Sequence, residues 1–456
     1  MQAAPKRVGR DLTQGPVLKG LLLFSLPMLL TNLIQQLYSI VDLMVIGQFV
    51  GTTGTVGVSI GGELSDFLSP VAMAFASAGQ IYIAQLAGAK RDKEQRDAIG
   101  SFLSLMMLSS LVFTVATLLL RAQLLALLNC PPEAYAQAES YLIITALGMP
   151  FVFGYNAVCG ILRGMGESKQ PMIFIIVAAT VNIVLDLLLV IVFRMDAAGT
   201  AIATTFSQAA SFLAAFLFMY RNRKQFGFEM KWDYFKLRWA PLKIILGLGI
   251  PQAARSILVR ISMLWVNSSI NAYGLIASGT NSVGNKLHKF LEIFSQSISQ
   301  AGGAMVGQNL GAKQHERAKQ TVWYTFAVSL AFAVVSTVLV LVCPRALLGL
   351  FTQDEAVLTM GVTYLQIMII HFYASALTSS FQCMVIGAGN ATLNFVIGVL
   401  DGIICKIGLS LIFLYALDMG VYSYFWGTTL SRILPGILCV IYFYRGSWKT
   451  NRLLRD

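Results

Sequence analysis

The stretch Leu37-Tyr38-Ser39-Ile40-Val41-Asp42-Leu43-Met44-Val45-Ile46-Gly47 lies inside an apolar run, Gly20 to Val50, of membrane-spanning length. It carries a carboxylate at Asp42, and no basic residue occurs anywhere in the run. A charge at bilayer depth costs at least about 2.5 kcal/mol on the mildest insertion scale, so an acid placed here marks a functional site. Two readings follow from this one stretch. The chain enters a membrane, and Asp42 needs either a partner or a task.

Composition extends the first reading to the whole chain. Of 456 residues 56% are hydrophobic and only 12% charged, with a mean hydropathy of +0.70; a soluble domain carries about 25% charged residues. The sequence predicts an all-α membrane protein with twelve spans, at about 19–48, 53–87, 96–122, 133–162, 168–193, 197–221, 241–273, 278–310, 316–344, 355–386, 392–416 and 418–444. The net charge of +12 sits in the short connections. Lys6 to Lys19, Lys90 to Arg96, Arg221 to Lys243, Lys313 to Lys319 and Arg445 to Arg455 are basic, whereas the alternate connections hold only Arg121, Arg194 and Arg345. The positive-inside rule therefore predicts both termini in the cytoplasm of a prokaryotic inner (plasma) membrane, the first span serving as its own insertion signal. The linker between Arg221 and Pro241 is basic and aromatic, which suits anionic lipid headgroups better than nucleic acid. The six cysteines are scattered without metal spacing and read as core thiols.

The chain is a duplication. Gln85-Leu86-Ala87-Gly88-Ala89-Lys90 recurs as Gln308-Asn309-Leu310-Gly311-Ala312-Lys313, Tyr141-Leu142 as Tyr364-Leu365, and Gly164-Met165-Gly166 as Gly387-Ala388-Gly389, all at an offset of 223 residues. Leu26-Pro27 recurs as Ile250-Pro251 at 224. This divides the chain into an N-terminal lobe, 1–220, a linker, 221–241, and a C-terminal lobe, 242–456. Each lobe has six helices, so the copies share one orientation in the membrane. Glycines four apart, Gly160 with Gly164 and Gly303 with Gly307 and Gly311, predict close helix crossings. Gly57-Val58-Ser59-Ile60-Gly61 matches a nucleophile-elbow pattern but lies on an apolar helix where that turn cannot form.

Tyr38 and Asp42 are four apart on the first span, and Asn182 and Asp186 are four apart on the fifth, so each pair shares a helix face. Thr204, Tyr141 and Asn156 add neutral polar groups on the sixth and fourth spans. Acids among oxygen ligands suit a hard cation, Na⁺, or a proton. Pro27 leaves the Leu23 carbonyl without its helical donor and is a hinge through which titration could bend the first helix. No other cofactor, metal cluster or nucleotide loop is indicated.

The LPxxLxxxxxxxYSxVDxxxxG pattern beginning at Leu26, the GxGxxxxP of Gly164 to Pro171, the NxxxD of Asn182 to Asp186 and the paired QxxGAK ends resemble the multidrug and toxic compound extrusion (MATE) family. The resemblance is to its bacterial branch with an N-lobe cation site. It implies two six-helix lobes around a central cleft and export of amphipathic, often cationic, drugs or metabolites in exchange for H⁺ or Na⁺. It implies cation ligands at Asp42, Asp186, Asn182 and Thr204 and a bendable Pro27. A C-lobe site with acids on helices 7 and 10 is not matched, because those helices carry Arg255, Arg260 and His371.

Glu63 and Asp66 on the second span face Lys286 and Lys289 on the eighth by repeat offset, an expected inter-lobe gate. Phe67, Met73, Met263, Trp265, Phe290 and Phe294 suit a cleft for flat amphipathic substrates. His371 reads as a hydrogen-bonded core residue. Asp401 and Lys406, five apart, do not share a regular helix face and call for other partners, and Arg432 is a further intramembrane charge. The expected protein is a monomeric antiporter rather than an enzyme, with a flippase for lipid-linked precursors as the alternative.

Overall fold

The computed structural model describes residues 9–226, 232–450 and 453–454, without the side chains of 43, 51–52, 64–66 and 232. Every regular element among them is helical. Five long helices open the chain: α1 Val17–Phe49, α2 Gly51–Ala89, α3 Asp92–Leu127, α4 Pro132–Gly164 and α5 Lys169–Asp186, the last extended by a π-helical turn, Leu187–Val192. After α6, Asp196–Arg221, the second copy follows as α7 Trp239–Asn271, α8 Leu275–Gly311, α9 His315–Val342, a short α10 Pro344–Gly349 and α11 Glu355–Gly387. The eleventh span is α12 Ala391–Val399, a π-helical turn Leu400–Cys405 and α13 Lys406–Tyr415; α14 Tyr422–Leu430 and α15 Ile433–Arg445 make the twelfth.

Eleven of these spans are long and apolar enough to cross a membrane on length and composition alone. The remaining one is α8, which at 37 residues is long enough but is diluted by Lys286, His288, Lys289 and Glu292. The helix packs along α11, His288 and Glu292 are buried or half-buried, and Lys286 and Lys289 remain exposed. Twelve membrane-length helices in two copies is the architecture the repeat predicts.

The central helix of each copy is the same helix. α4 packs on α2, α3 and α6, and α11 packs on α8, α9 and α15. Both have 33 residues, and both ends are displaced by 223. The paired glycines explain the close packing: a Cβ on Gly164 would lie 2.6 Å from the Gln80 carbonyl oxygen, and one on Gly387 would lie 2.8 Å from that of Gly303. Only a residue without a side chain lets the backbones approach that far.

By packing, the chain forms two units: residues up to Asp11 with Leu30–Gly249, and Leu12–Leu29 with Ile250 onward. Covalent copy and packed unit therefore differ by an exchange of two segments, Leu12–Leu29 and the start of α7 up to Gly249. The start of α1 belongs with the second copy, where Leu12, Val17, Leu21, Phe24 and Met28 bury against Ala301, Ala304 and Met305. Gln308 and Asn309, from the repeated QxxGAK end, bind this segment. The Leu12 N–H donates to Gln308 Oε1 at 3.0 Å, and Asn309 Nδ2 donates to the Leu12 carbonyl at 3.4 Å. Arg317 Nη1 donates to the Gly15 carbonyl at 2.9 Å. The segment leading into α7 is held in the first unit: the Ser104 hydroxyl donates to the Phe235 carbonyl at 2.6 Å, and Arg238 pairs with Asp97 at 2.8 Å. The chain passes between units at Leu29 to Leu30 and at Gly249 to Ile250, two residues from Pro27 and one from Pro251.

Candidate functional site

Asp42 lies on the second half of α1, within the first unit. Val41, Val45 and Ile46 pack with Val190 of the π turn, which places this part of α1 beside the end of α5. The carboxylates of Asp42 and Asp186 come within hydrogen-bonding reach of one another. Neither finds a donor among the described residues: Oδ1 of Asp42 and both oxygens of Asp186 are buried and unpartnered. Asp186 and Asn182 are each only 1% exposed. Two carboxylates are both acceptors, so their approach is stable only when a proton or a cation lies between them.

Asn182, one turn before Asp186, has both amide atoms buried without a partner, as is the Thr204 hydroxyl on α6, the helix packed against α5. The neighbouring Thr205 instead donates to the Ile144 carbonyl of α4 at 3.3 Å. Tyr38, one turn before Asp42, lies within electrostatic reach of it. The donor set is thus oxygen-rich and lacks a protein cation, which fits H⁺ or Na⁺ and does not fit a soft metal. The π turn begins at the residue after Asp186; such turns insert a residue into the helical ladder and recur at functional positions.

Asn156 and Tyr141, also expected at this site, make contacts of their own. Asn156 uses its Nδ2 to donate to the Val152 carbonyl of its own helix at 2.8 Å. Tyr141 packs on Gly61 of α2, and fifteen residues of α4, roughly 22 Å, separate it from Asn156. Tyr155, which sequence reasoning passed over, is buried within electrostatic reach of Tyr38. Its signal was only adjacency to Asn156.

Glu63 and Asp66 belong to the first unit and Lys286 and Lys289 to the second. The Asp66 side chain lies outside the described ones, both lysines are exposed, and the Lys286 ammonium sits 5.9 Å from the Phe351 ring centre. Of the aromatic and methionine candidates, Trp265 packs on Tyr424 at 5.7 Å between ring centres and Phe294 stacks on Phe332 at 4.1 Å. Met263 Sδ accepts from Lys406 Nζ at 3.5 Å. Met73 and Phe290 are 48% and 43% exposed, and Phe67 is half-buried.

The second unit contains a polar cluster that sequence reasoning saw only in part. Arg432 pairs with Glu292 and, through Nε, with Asp401 Oδ2 at 3.6 Å, and it donates to Ser375 at 2.8 Å. Ser431 donates to Asp401 at 3.0 Å. These are the partners that Asp401 required. His371 corrects the expectation of a hydrogen-bonded core residue, since neither ring nitrogen has a partner among the described residues. It faces His288, which was overlooked although it stands four residues before Glu292.

Two six-helix copies of membrane-spanning length, with buried acids that have no partner among the described residues, have the architecture of a membrane transporter. The MatE family model matches residues 27–188 and 251–415, once per copy and starting at Pro27 and at Pro251, and the chain belongs to the MATE family. Probable multidrug resistance protein YpnP of Bacillus subtilis (strain 168) is 26% identical over 448 residues, 98% of this chain and 99% of that protein. Multidrug export protein MepA of Staphylococcus aureus (strain N315) is 23% identical over 97% of this chain and 95% of its own. In fold, the chain matches a MATE transporter crystallised in complex with MaD3S with a TM-score of 0.91 at 18% identity, covering 96% of this chain and 98% of that one. It matches an outward-facing multidrug resistance MATE family transporter with a TM-score of 0.90 at 19% identity, covering 97% and 98%.

Proposed function

We propose that this protein exports amphipathic, often cationic, small molecules across the plasma membrane in exchange for H⁺ or Na⁺, with both termini in the cytoplasm. The observation that carries the reading is the approach of Asp42 to Asp186 without a donor from the protein. A transporter coupled to a cation needs a buried negative charge that the protein leaves unneutralised, and this pair is one. The relatives named for multidrug resistance and export support the substrate class.

In this mechanism Asp42 and Asp186 hold the coupling ion between them, and Asn182 and Thr204 offer further neutral ligands. A carboxylate pair repels when empty and attracts when bridged, so occupancy changes the force between α1 and α5. α1 responds along its length, because Pro27 removes one rung of its hydrogen-bond ladder near the point where the chain passes between units. Ion entry from outside would thus favour the cytoplasm-facing state, and release inside would reset it.

The test is efflux of a fluorescent cationic dye from proteoliposomes under imposed H⁺ or Na⁺ gradients, with Asp42→Asn beside the unaltered chain. Gradient-driven efflux lost in the variant supports the mechanism; equal efflux overturns it. Dye movement absent from the unaltered chain, with lipid-linked precursor translocated instead, would make the protein a flippase.

A further inference from the structure

The first unit does not absorb the cluster on α8 and α11, and that cluster has the composition of a metal site. We propose that His288, Glu292 and His371 form a reversible binding site for a first-row transition-metal dication of the Zn²⁺ class, clamping α8 to α11.

His288 and Glu292 are four apart on one face of α8, and the His288 Nε2 lies 3.2 Å from Glu292 Oε2. The His371 ring comes across from α11, 4.5 Å from that of His288 between centres and inclined at 72°. One ligand atom from each of the three residues lies within 4.8 Å of the others. A tetrahedral ion with bonds of about 2.1 Å holds its ligand atoms roughly 3.4 Å apart, so small side-chain rotations complete the geometry.

An independent observation points to a ligand. His371 is 3% exposed, yet both ring nitrogens are unpartnered, and a buried imidazole left in that state is costly. It lines a small pocket with His288, Glu292, Ser295, Ser336 and Ser375, and the Ser336 hydroxyl is likewise buried and unpartnered among the described residues. The pocket leaves room for a fourth ligand, a water that Ser336 could orient.

Charge and support also fit. Glu292 gives Oε1 to Arg432 and keeps Oε2 toward His288, so one oxygen is anchored while the other faces the ion. Such outer contacts fix ligand orientation in metal sites. Glu292, Arg432 and Asp401 sum to one negative charge, which a dication reverses rather than multiplies. Lys406, against Met263, and Arg255, donating to Asn394, add positive charge in the same unit and limit the affinity, which is why the site is reversible.

The chain has three histidines, and the third, His315, begins α9 and packs on Trp448 instead, which provides an internal control. The experiment titrates the purified, chelator-stripped full-length protein with Co²⁺, reading the visible absorption of a tetrahedral site and its displacement by Zn²⁺. The expected result is one saturable equivalent, weakened by about tenfold or more in His371→Ala and His288→Ala and unchanged in His315→Ala. Zn²⁺ should raise the Tm of the unaltered chain and leave that of His371→Gln, a variant of similar volume, where it was. Asp42→Asn should bind Co²⁺ normally even if its transport is lost, which separates this site from the coupling mechanism. No saturable equivalent in the unaltered chain, or equal binding in the His371 variants, overturns the proposal.

Discussion

Each copy of this duplicated chain brings a pair of intramembrane acids together among the described residues, Asp42 with Asp186 and Glu292 with Asp401, and the two copies treat them oppositely. In the first unit Asp42 and Asp186 approach each other with no donor among the described residues. In the second, Glu292 and Asp401 flank Arg432, and serines supply further hydrogen bonds. Arg432 leaves that set one net negative charge but fixes it in place with a cation of the protein's own. An unneutralised pair requires a mobile cation. The difference teaches that two copies of one scaffold can compensate their intramembrane acids in opposite ways. α7, which matches α1 through its proline, carries Asn267 in the region corresponding to Asp42, and Asn267 Oδ1 accepts from Asn281 and Asn285 at 2.9 and 3.2 Å.

The sharpest way to break this comparison is to remove the internal cation. Arg432→Ala would strand two buried carboxylates and should cost about 3–5 kcal/mol of stability, measured by reversible unfolding in mild detergent. A loss below about 1 kcal/mol would mean that the second cluster is not held by that pairing. In the first unit the same kind of change should act on transport and spare stability. Asp186→Asn should lower gradient-driven efflux by at least about tenfold, a loss of roughly 1.4 kcal/mol of coupling, with the Tm unchanged or raised. A fall in Tm would show that the pair is structural.

The repeat itself predicts parallel packing effects. Gly164→Val and Gly387→Val each force a branched side chain against a backbone carbonyl and should each cost about 1–3 kcal/mol. Thermal unfolding of the two variants side by side would expose any inequality between the copies. The smallest expected effect is at the hinge. Pro27→Ala restores an N–H donor for the Leu23 carbonyl. It should slow efflux severalfold at unchanged or slightly higher Tm, and equal efflux rates would remove the hinge from the mechanism.

Much of this was readable before any fold was known, and the reasons are specific. Asp42 and Asp186 stood out because charge in an apolar run is expensive. Gly160, Gly164 and Gly387 stood out because they repeat at helical spacing. His288 did not, since a single histidine in the most polar span raises no alarm until His371 is seen opposite it. On a regular helix Asp401 and Lys406 would not share a face, whereas the structure winds Leu400–Cys405 as a π turn, which rephases everything beyond it. Trp265 and Phe294 were indistinguishable by type from substrate-facing residues, and their stacking on Tyr424 and Phe332 is a tertiary fact.

By itself the amino-acid order determined that the chain crosses a membrane in twelve helices, that these are two copies of six, and that the first copy carries an acid without a cation. Those features follow from local cost: every buried peptide group must be bonded within its own helix, and every intramembrane charge is paid for. Only the tertiary structure decided which polar groups meet. It brought Asp42 to Asp186 and Arg432 between Glu292 and Asp401, and it moved the start of α1 into the other unit's packing. Partner choice between helices depends on distances across hundreds of residues, and no local periodicity encodes them.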